Sequence, residues 1–171
     1  TIPYEDILAD TYFFENNNNF YSFKSKLENF KNNYFNNNLK NILLKKYNKD
    51  DILIIGSLIE KEGLDYQDKK NISSVILNRL NIGMKLQIDA TVLFAITNGK
   101  YDLNRNLLFK DLKIDDPYNT YKYPGLPPKP ISYVGTNTLD IILENYKTDF
   151  LFYFFNNSYN KHIFSNNFTE H

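Results

Sequence analysis

The stretch from Asp51 to Gly63, DILIIGSLIEKEG, restricts the fold more than any other part of the chain. Its apolar residues follow a helical period, and Asp50 or Asp51 is placed to cap the start and complement the helix dipole. On a helical wheel Ile52, Ile55, Leu58 and Ile59 fall on one side, and Glu62 sits among them. Glu60 lies about 160° from Glu62, beside Leu53 at the edge of the stripe, with Lys61 between the two. A carboxylate on the buried side of a helix is costly unless it is paired, neutral or functional. Glu62 is therefore the candidate proton-donating acid. The alternative is a helix end whose carboxylate reaches water past Gly63.

Composition narrows the classes open to this helix. A chain of 171 residues with 42% hydrophobic residues is long enough for one domain with a real core, despite a mean hydropathy of −0.50. Much of the polarity is asparagine, in runs such as Asn16–Asn19 and Asn36–Asn38 that suit tolerant surface loops. Twenty basic and twenty acidic residues cancel, so no global field attracts nucleic acid or anionic lipid. Without cysteine there are no disulfides or thiolate metal sites. No signal peptide and no apolar run of membrane-spanning length occurs. The expectation is a soluble part of a longer protein, with any membrane anchor outside this chain.

Taken in order, residues 1–14 read as an extended segment that packs onto the main body. Phe20 to Tyr47 reads as an amphipathic helix loosened at Asn36–Asn38 and followed by a shorter piece, its aromatics serving the core. A second helix is expected over Asp68–Asn81, stopped by Gly83. A short one begins at Asp89 as its cap and ends at the Asn98-Gly99 turn. Tyr101–Asp116 reads as loop with a short helix. Four prolines and two glycines make Tyr118–Gly135 a rigid, ordered loop rather than helix or central strand. A helix follows over Thr138–Tyr146, capped near Thr136 or Thr138. Asp149–Phe155 and His162–Phe164 form a β-hairpin about the Asn156–Asn160 turn. The architecture is mainly helical, with a small β element late in the chain that the N-terminal segment is placed to join.

The chemistry available is narrow. His162 and His171 are the only histidines, nine residues apart, and with their acidic neighbours they fit no zinc motif, so no metal is expected. No nucleophile elbow, P-loop or dinucleotide fingerprint is present. What remains is one carboxyl group on an apolar helix, a rigid aromatic and proline-rich loop, and several amides and hydroxyls. That set suits carbohydrate, where one acid protonates a glycosidic oxygen.

Four blocks occur in one order: EKEG at 60–63, SSVILNRLNIGMKLQIDATVLFAI at 73–96, YNTYKYPGLPPKPI at 118–131 and FLFYFFNNSYNKHIFSNNFTEH at 150–171. Together they resemble the endolytic murein transglycosylases of the MltG (YceG-like) family, from about Asp10 to the last residue. Two are specific: NRL-x-x-GM-x-LQ-x-D-x-T at 78–91 and YNTY-x-x-x-GLPP-x-PI at 118–131. The resemblance implies an α+β, mainly helical, lysozyme-like catalytic domain with a small β-hairpin. Residues 1–171 would form one domain, with 1–50 a strand and helical lead-in and 51–171 the core. The family's membrane anchor and LysM-like subdomain are absent from these residues. The implied reaction cleaves the MurNAc–GlcNAc β-1,4 bond within nascent peptidoglycan strands and leaves 1,6-anhydro-MurNAc ends. It needs a single carboxyl group and no cofactor.

By resemblance the catalytic residue is Glu62, the second glutamate of the family's E-K-E-[T/S], with Glu60 the fallback. Substrate contacts carry over to Asn78, Gln87, Asp89, Thr91, Asn119, Thr120, Tyr121 and His162, with capping and loop anchoring the competing roles for Asp89 and for Arg79. Glu170-His171 matches the family's terminal E-H. Three departures stand out: Gly63 replaces Thr or Ser, Tyr133-Val134-Gly135 stands where Asn-Pro-Gly is usual, and the turn before His162 lacks glycines. Peptidoglycan strands are the implied partner, with cell-wall synthases as further candidates and no nucleic acid. The implied location is the extracytoplasmic face of the bacterial inner membrane, through a segment outside this chain. The competing function is a non-catalytic peptidoglycan-binding or scaffolding module. Hydrolysis to a reducing sugar would need a second carboxylate, for which Asp89 is the nearby candidate.

Overall fold

The computed structural model describes residues 2–13 and 19–169. Phe14, Glu170 and His171, which figured in the expectations above, lie outside the described residues. Six helices are described: α1 (Phe20–Asn37), α2 (Leu43–Lys46), α3 (Lys49–Glu62), α4 (Tyr66–Asn81), α5 (Asp89–Thr97) and α6 (Thr136–Leu143). Two short strands, β1 (Leu8–Ala9) and β2 (Val134–Gly135), pair in parallel, and β3 (Phe152–Asn156) with β4 (Lys161–Ser165) makes an antiparallel hairpin. The α+β, mainly helical architecture is as expected.

Helix α3 lies at the centre, packed by α4, α5, α6 and β2. Its cap is Asn48 rather than Asp50 or Asp51. The Asn48 side chain accepts from the Asp51 N–H at 2.9 Å and the Asp51 carboxylate accepts from the Asn48 N–H at 3.0 Å, a reciprocal capping box. Every residue from Ile52 to Ile59 is buried, so the helix is wrapped on all sides and not on a single face. Only in its last turn do side chains diverge between different surroundings. Gly56 makes the wrapping possible, since a Cβ there would meet Val134 Cγ1 at 2.6 Å. One buried cluster runs from Leu8 and Phe35 through α3 and α4 to Leu139 and Ile142.

Helix α4 begins two residues before its expected start, because Asp65 accepts from the Asp68 N–H at 2.9 Å and caps it. It ends at Gly83, whose φ of +70° permits a Schellman closure: Met84 N–H to Arg79 O at 2.8 Å and Gly83 N–H to Leu80 O at 3.3 Å. The N-terminal segment pairs Leu8 with Val134 and Ala9 with Gly135, at the end of the proline-rich loop, and not with the hairpin. The loop exit from Ile131 to Gly135 is bound to α3, which puts β2 within reach of β1. Helix α1 does break at Asn37, and Asn38 and Asn41 spend their amides on Tyr34 O and Leu143 O, both at 2.9 Å. Its aromatics divide. Phe35 is buried, whereas Phe20 and Phe30 are exposed, because the helix is buried only at Leu27 and Phe35.

Candidate active site

The last turn of α3 sends its two glutamates to different partners. Glu60 accepts from the Lys69 ammonium at 2.6 Å and from the Gly135 N–H at 3.1 Å, and Lys69 also donates to the Thr138 hydroxyl at 3.0 Å. Burial alone would raise the Glu60 carboxyl, but the Lys69, Thr138 and Gly135 hydrogen bonds and the Lys69 charge outweigh it and hold the group below the usual range. Glu60 is thus an ionised clasp between α3, α4 and the start of α6. That leaves it no proton to give near neutral pH. The stem of Lys69 also fills the space beside Gly63, where a Cβ would meet Lys69 Cγ at 2.4 Å. The glycine at position 63 leaves the room that this stem occupies.

Glu62 is the opposite case. Burial, then the Asp89 charge, push its carboxyl up, against hydrogen bonds from the Tyr153 hydroxyl and the Ala90 N–H and the charge of His162. The Tyr153 O–H donates to Glu62 Oε2 at 3.3 Å, bringing β3 onto the end of α3. The Ala90 N–H lies in the first turn of α5, so Glu62 also faces a helix N-terminus. Tyr153 itself is pushed well up by burial and by Glu62, and stays a phenol that donates.

Asp89 opens α5 without capping it, since Ile88 occupies the cap position and no side-chain cap bond forms. Its carboxylate instead accepts from the Tyr121 hydroxyl at 2.5 Å, so the proline-rich loop reaches the acid through Tyr121. His162 is set by Asp68, whose two oxygens lie 2.9 and 3.1 Å from Nδ1. Asp68 also accepts from the Leu64 N–H at 2.9 Å, which ties the hairpin to the turn that follows Glu62. The His162 ring packs edge-on against Tyr153, with centroids 5.4 Å apart.

Other residues expected at the site serve the scaffold. The Asn78 amide donates to Thr148 O and Phe150 O at 2.8 and 2.9 Å. Asn119, fully buried, donates to Leu112 O and Ile114 O and accepts from the Tyr121 N–H, which sets the direction of Tyr121. Thr120 accepts from the Ile88 N–H at 3.0 Å and meets the Thr91 hydroxyl at 2.9 Å, while Thr91 donates to Ile88 O. Together Thr91 and Thr120 bolt the loop to the start of α5. Gln87 is exposed beside them with a φ of +52°, a left-handed conformation that a non-glycine residue adopts at a cost. Arg79 holds Leu151 O, Lys85 O and Leu86 O, the anchoring role weighed for it. Tyr153 was missed by the sequence reasoning. Its signal was present: in the run FLFYFF it is the one residue with a polar atom, and a phenol in an apolar strand that packs on the body needs a partner.

Among the described residues no group of three or more His, Asp or Glu side chains could hold a metal ion, and no helix is long and apolar enough to cross a membrane.

Comparison with known proteins adds independent information. The family model described as YceG-like family matches residues 6–171. A protein of Bacillus subtilis named endolytic murein transglycosylase is 43% identical over 120 residues, which cover 70% of this chain and 32% of that protein. One of the same name from Streptococcus pneumoniae is 35% identical over 130 residues, 74% of this chain and 23% of that protein. A crystal structure of a yceG-like protein from Listeria monocytogenes superposes with a TM-score of 0.82 at 32% identity, covering 97% of this chain and 53% of that one. The chain therefore spans 23% to 32% of the curated relatives' length and about half of the solved structure.

Proposed function

Because the chain belongs to the YceG-like family, we propose that it is the catalytic part of an endolytic murein transglycosylase, with Glu62 as its sole acid and base. The observation that carries the reading is the raised Glu62 carboxyl, desolvated beside Asp89 and steered by Tyr153. A carboxyl raised in this way keeps its proton to higher pH than an ordinary glutamate and is suited to donate it.

In the proposed reaction Glu62 gives its proton to the glycosidic oxygen as the bond from that oxygen to the anomeric carbon of MurNAc breaks. The MurNAc C6 hydroxyl oxygen then bonds to the anomeric carbon, and its proton passes to the Glu62 carboxylate. The product is a 1,6-anhydro end, no water is consumed, and the acid returns to its starting state. Tyr153 and the Ala90 N–H stabilise the intermediate carboxylate. Asp89, committed to Tyr121, keeps a negative charge near the developing positive charge on the sugar ring. No metal or cofactor is required. Murein lies outside the cytoplasm, so the proposed place of action is extracytoplasmic.

The test is mass spectrometry of uncrosslinked glycan strands incubated with this chain and with Glu62→Gln. Anhydro-ended fragments from the unsubstituted chain alone are the expected result. Reducing ends would overturn the anhydro mechanism in favour of hydrolysis. Equal products from both chains would remove Glu62 from its role, and binding without cleavage by either would favour a binding module.

A further inference from the structure

A cavity of about 740 Å³ opens beside the acid, between α5 and the loop at 99–107. Asp89 and Ala90 line it, and these are the residues whose carboxylate raises Glu62 and whose N–H donates to it, so cavity and acid share a wall. Lys61 also lines it, from its place between the two glutamates of α3. The floor is apolar, with Phe94 and Ile131.

The charges around this floor are unevenly spent. Arg105 is closed in a two-pronged pair with Asp111, at 2.5 and 3.1 Å, and Asp89 is held by Tyr121. Lys61, Lys100 and Asp102 line the cavity with no ion-pair partner among the described residues. Tyr4, Phe94, Tyr101 and Asn106 give the cavity aromatic and amide surface that serves a neutral sugar ring as well, so its open charges are what distinguish it. Two open ammoniums and one open carboxylate over an apolar floor suit a short peptide that carries carboxylates and an amine.

Resting on the murein reading, we propose that this cavity binds the peptide substituent of the sugar strand, with Lys61 pairing a peptide carboxylate. In murein the peptide leaves from C3 of the same muramyl ring whose C1 reacts. A subsite walled by Asp89 and Ala90 lies where such a substituent falls when that ring is at Glu62. The cavity then selects strands by their peptides, separately from the acid that cuts them.

The experiment measures binding of fluorescent, uncrosslinked strands by anisotropy, with peptides intact or stripped by an amidase. It uses the Glu62→Gln chain so that no strand is cut. Intact strands are expected to bind about 5- to 10-fold more tightly, and Lys61→Met to bring that ratio to within about 2-fold, the scale of one or two partly exposed ion pairs. Lys40→Met, an exposed lysine remote from the cavity, controls for net charge and should retain the preference. Equal binding of intact and stripped strands, or a preference that survives Lys61→Met combined with Lys100→Met, overturns the proposal. If stripped strands are cleaved to anhydro ends without any peptide preference, the murein reading stands and this one falls. A Lys61-dependent preference without cleavage by the unsubstituted chain supports the cavity and removes the acid mechanism. Failure to bind either strand sinks both.

Discussion

The Tyr153 hydroxyl donates to Glu62 Oε2 at 3.3 Å, joining residues 91 positions apart in the chain. This bond favours the carboxylate form of Glu62, against the burial and the Asp89 charge that favour the acid. Tyr153→Phe should therefore raise the Glu62 pKa further. Under the proposed mechanism activity requires the protonated acid and declines as pH rises through that pKa. The declining limb of the kcat/KM profile should move to higher pH. An unmoved limb would show that the bond does not tune the acid.

Asp89→Asn should act in the opposite direction. The substitution removes a negative charge that raises Glu62 while leaving an oxygen to accept from Tyr121. The declining limb should move to lower pH, and maximal turnover should fall about 10-fold or more with the loss of electrostatic support at the sugar. A limb that moves upward would contradict the arrangement.

The two glutamates of α3 should respond oppositely in stability. The folded pKa of Glu60 is depressed, so its contribution is present above the unfolded pKa and is lost as pH falls through the folded value. Glu60→Gln should cost about 1–3 kcal/mol near neutral pH, and the deficit should shrink in acid. The folded pKa of Glu62 is raised, so the native state binds more protons and stability falls as pH rises through the interval between the unfolded and folded values. Glu62→Gln should raise the melting temperature at pH 8 by about 1–3 °C. Urea melts for Glu60→Gln at pH 4 and 7, with thermal melts for Glu62→Gln at pH 8, test both signs.

Gly56 and Val134 form a contact set by the missing side chain. Gly56→Ala places a Cβ 2.6 Å from Val134 Cγ1, inside α3 where neither element can move freely. A loss of about 1–3 kcal/mol is expected. Val134→Ala in the same chain should recover part of it, and a double-mutant cycle by urea unfolding measures the coupling.

How far the site could be read in advance differs residue by residue. Glu62 was legible because helical spacing is a local property: three and seven residues after Ile59 and Ile55, it had to leave α3 on their side. The same wheel separated Glu60 from it. It could not reveal that Lys69, Thr138 and Gly135 would close on Glu60, since those partners arrive through the packing of α4 and α6. The specific blocks at 78–91 and 118–131 were equally visible, yet they do not act alike. Tyr121 and Asp89 reach the acid, while Asn78, Thr91, Asn119 and Thr120 turn inward to backbone groups that would otherwise be buried without partners.

The sequence by itself determined the helices, their caps within a few residues, the rigid loop, the hairpin and the side of α3 from which Glu62 leaves. These follow from interactions among residues close in the chain, where periodicity and turn chemistry act directly. Only the tertiary structure decided that β1 joins β2, that α3 is buried all round, and that Tyr153, Asp89 and His162 share Glu62 as a neighbour. Those outcomes rest on contacts between residues tens of positions apart. The balance of burial and charge that raises one glutamate and depresses the other exists only once these contacts have formed.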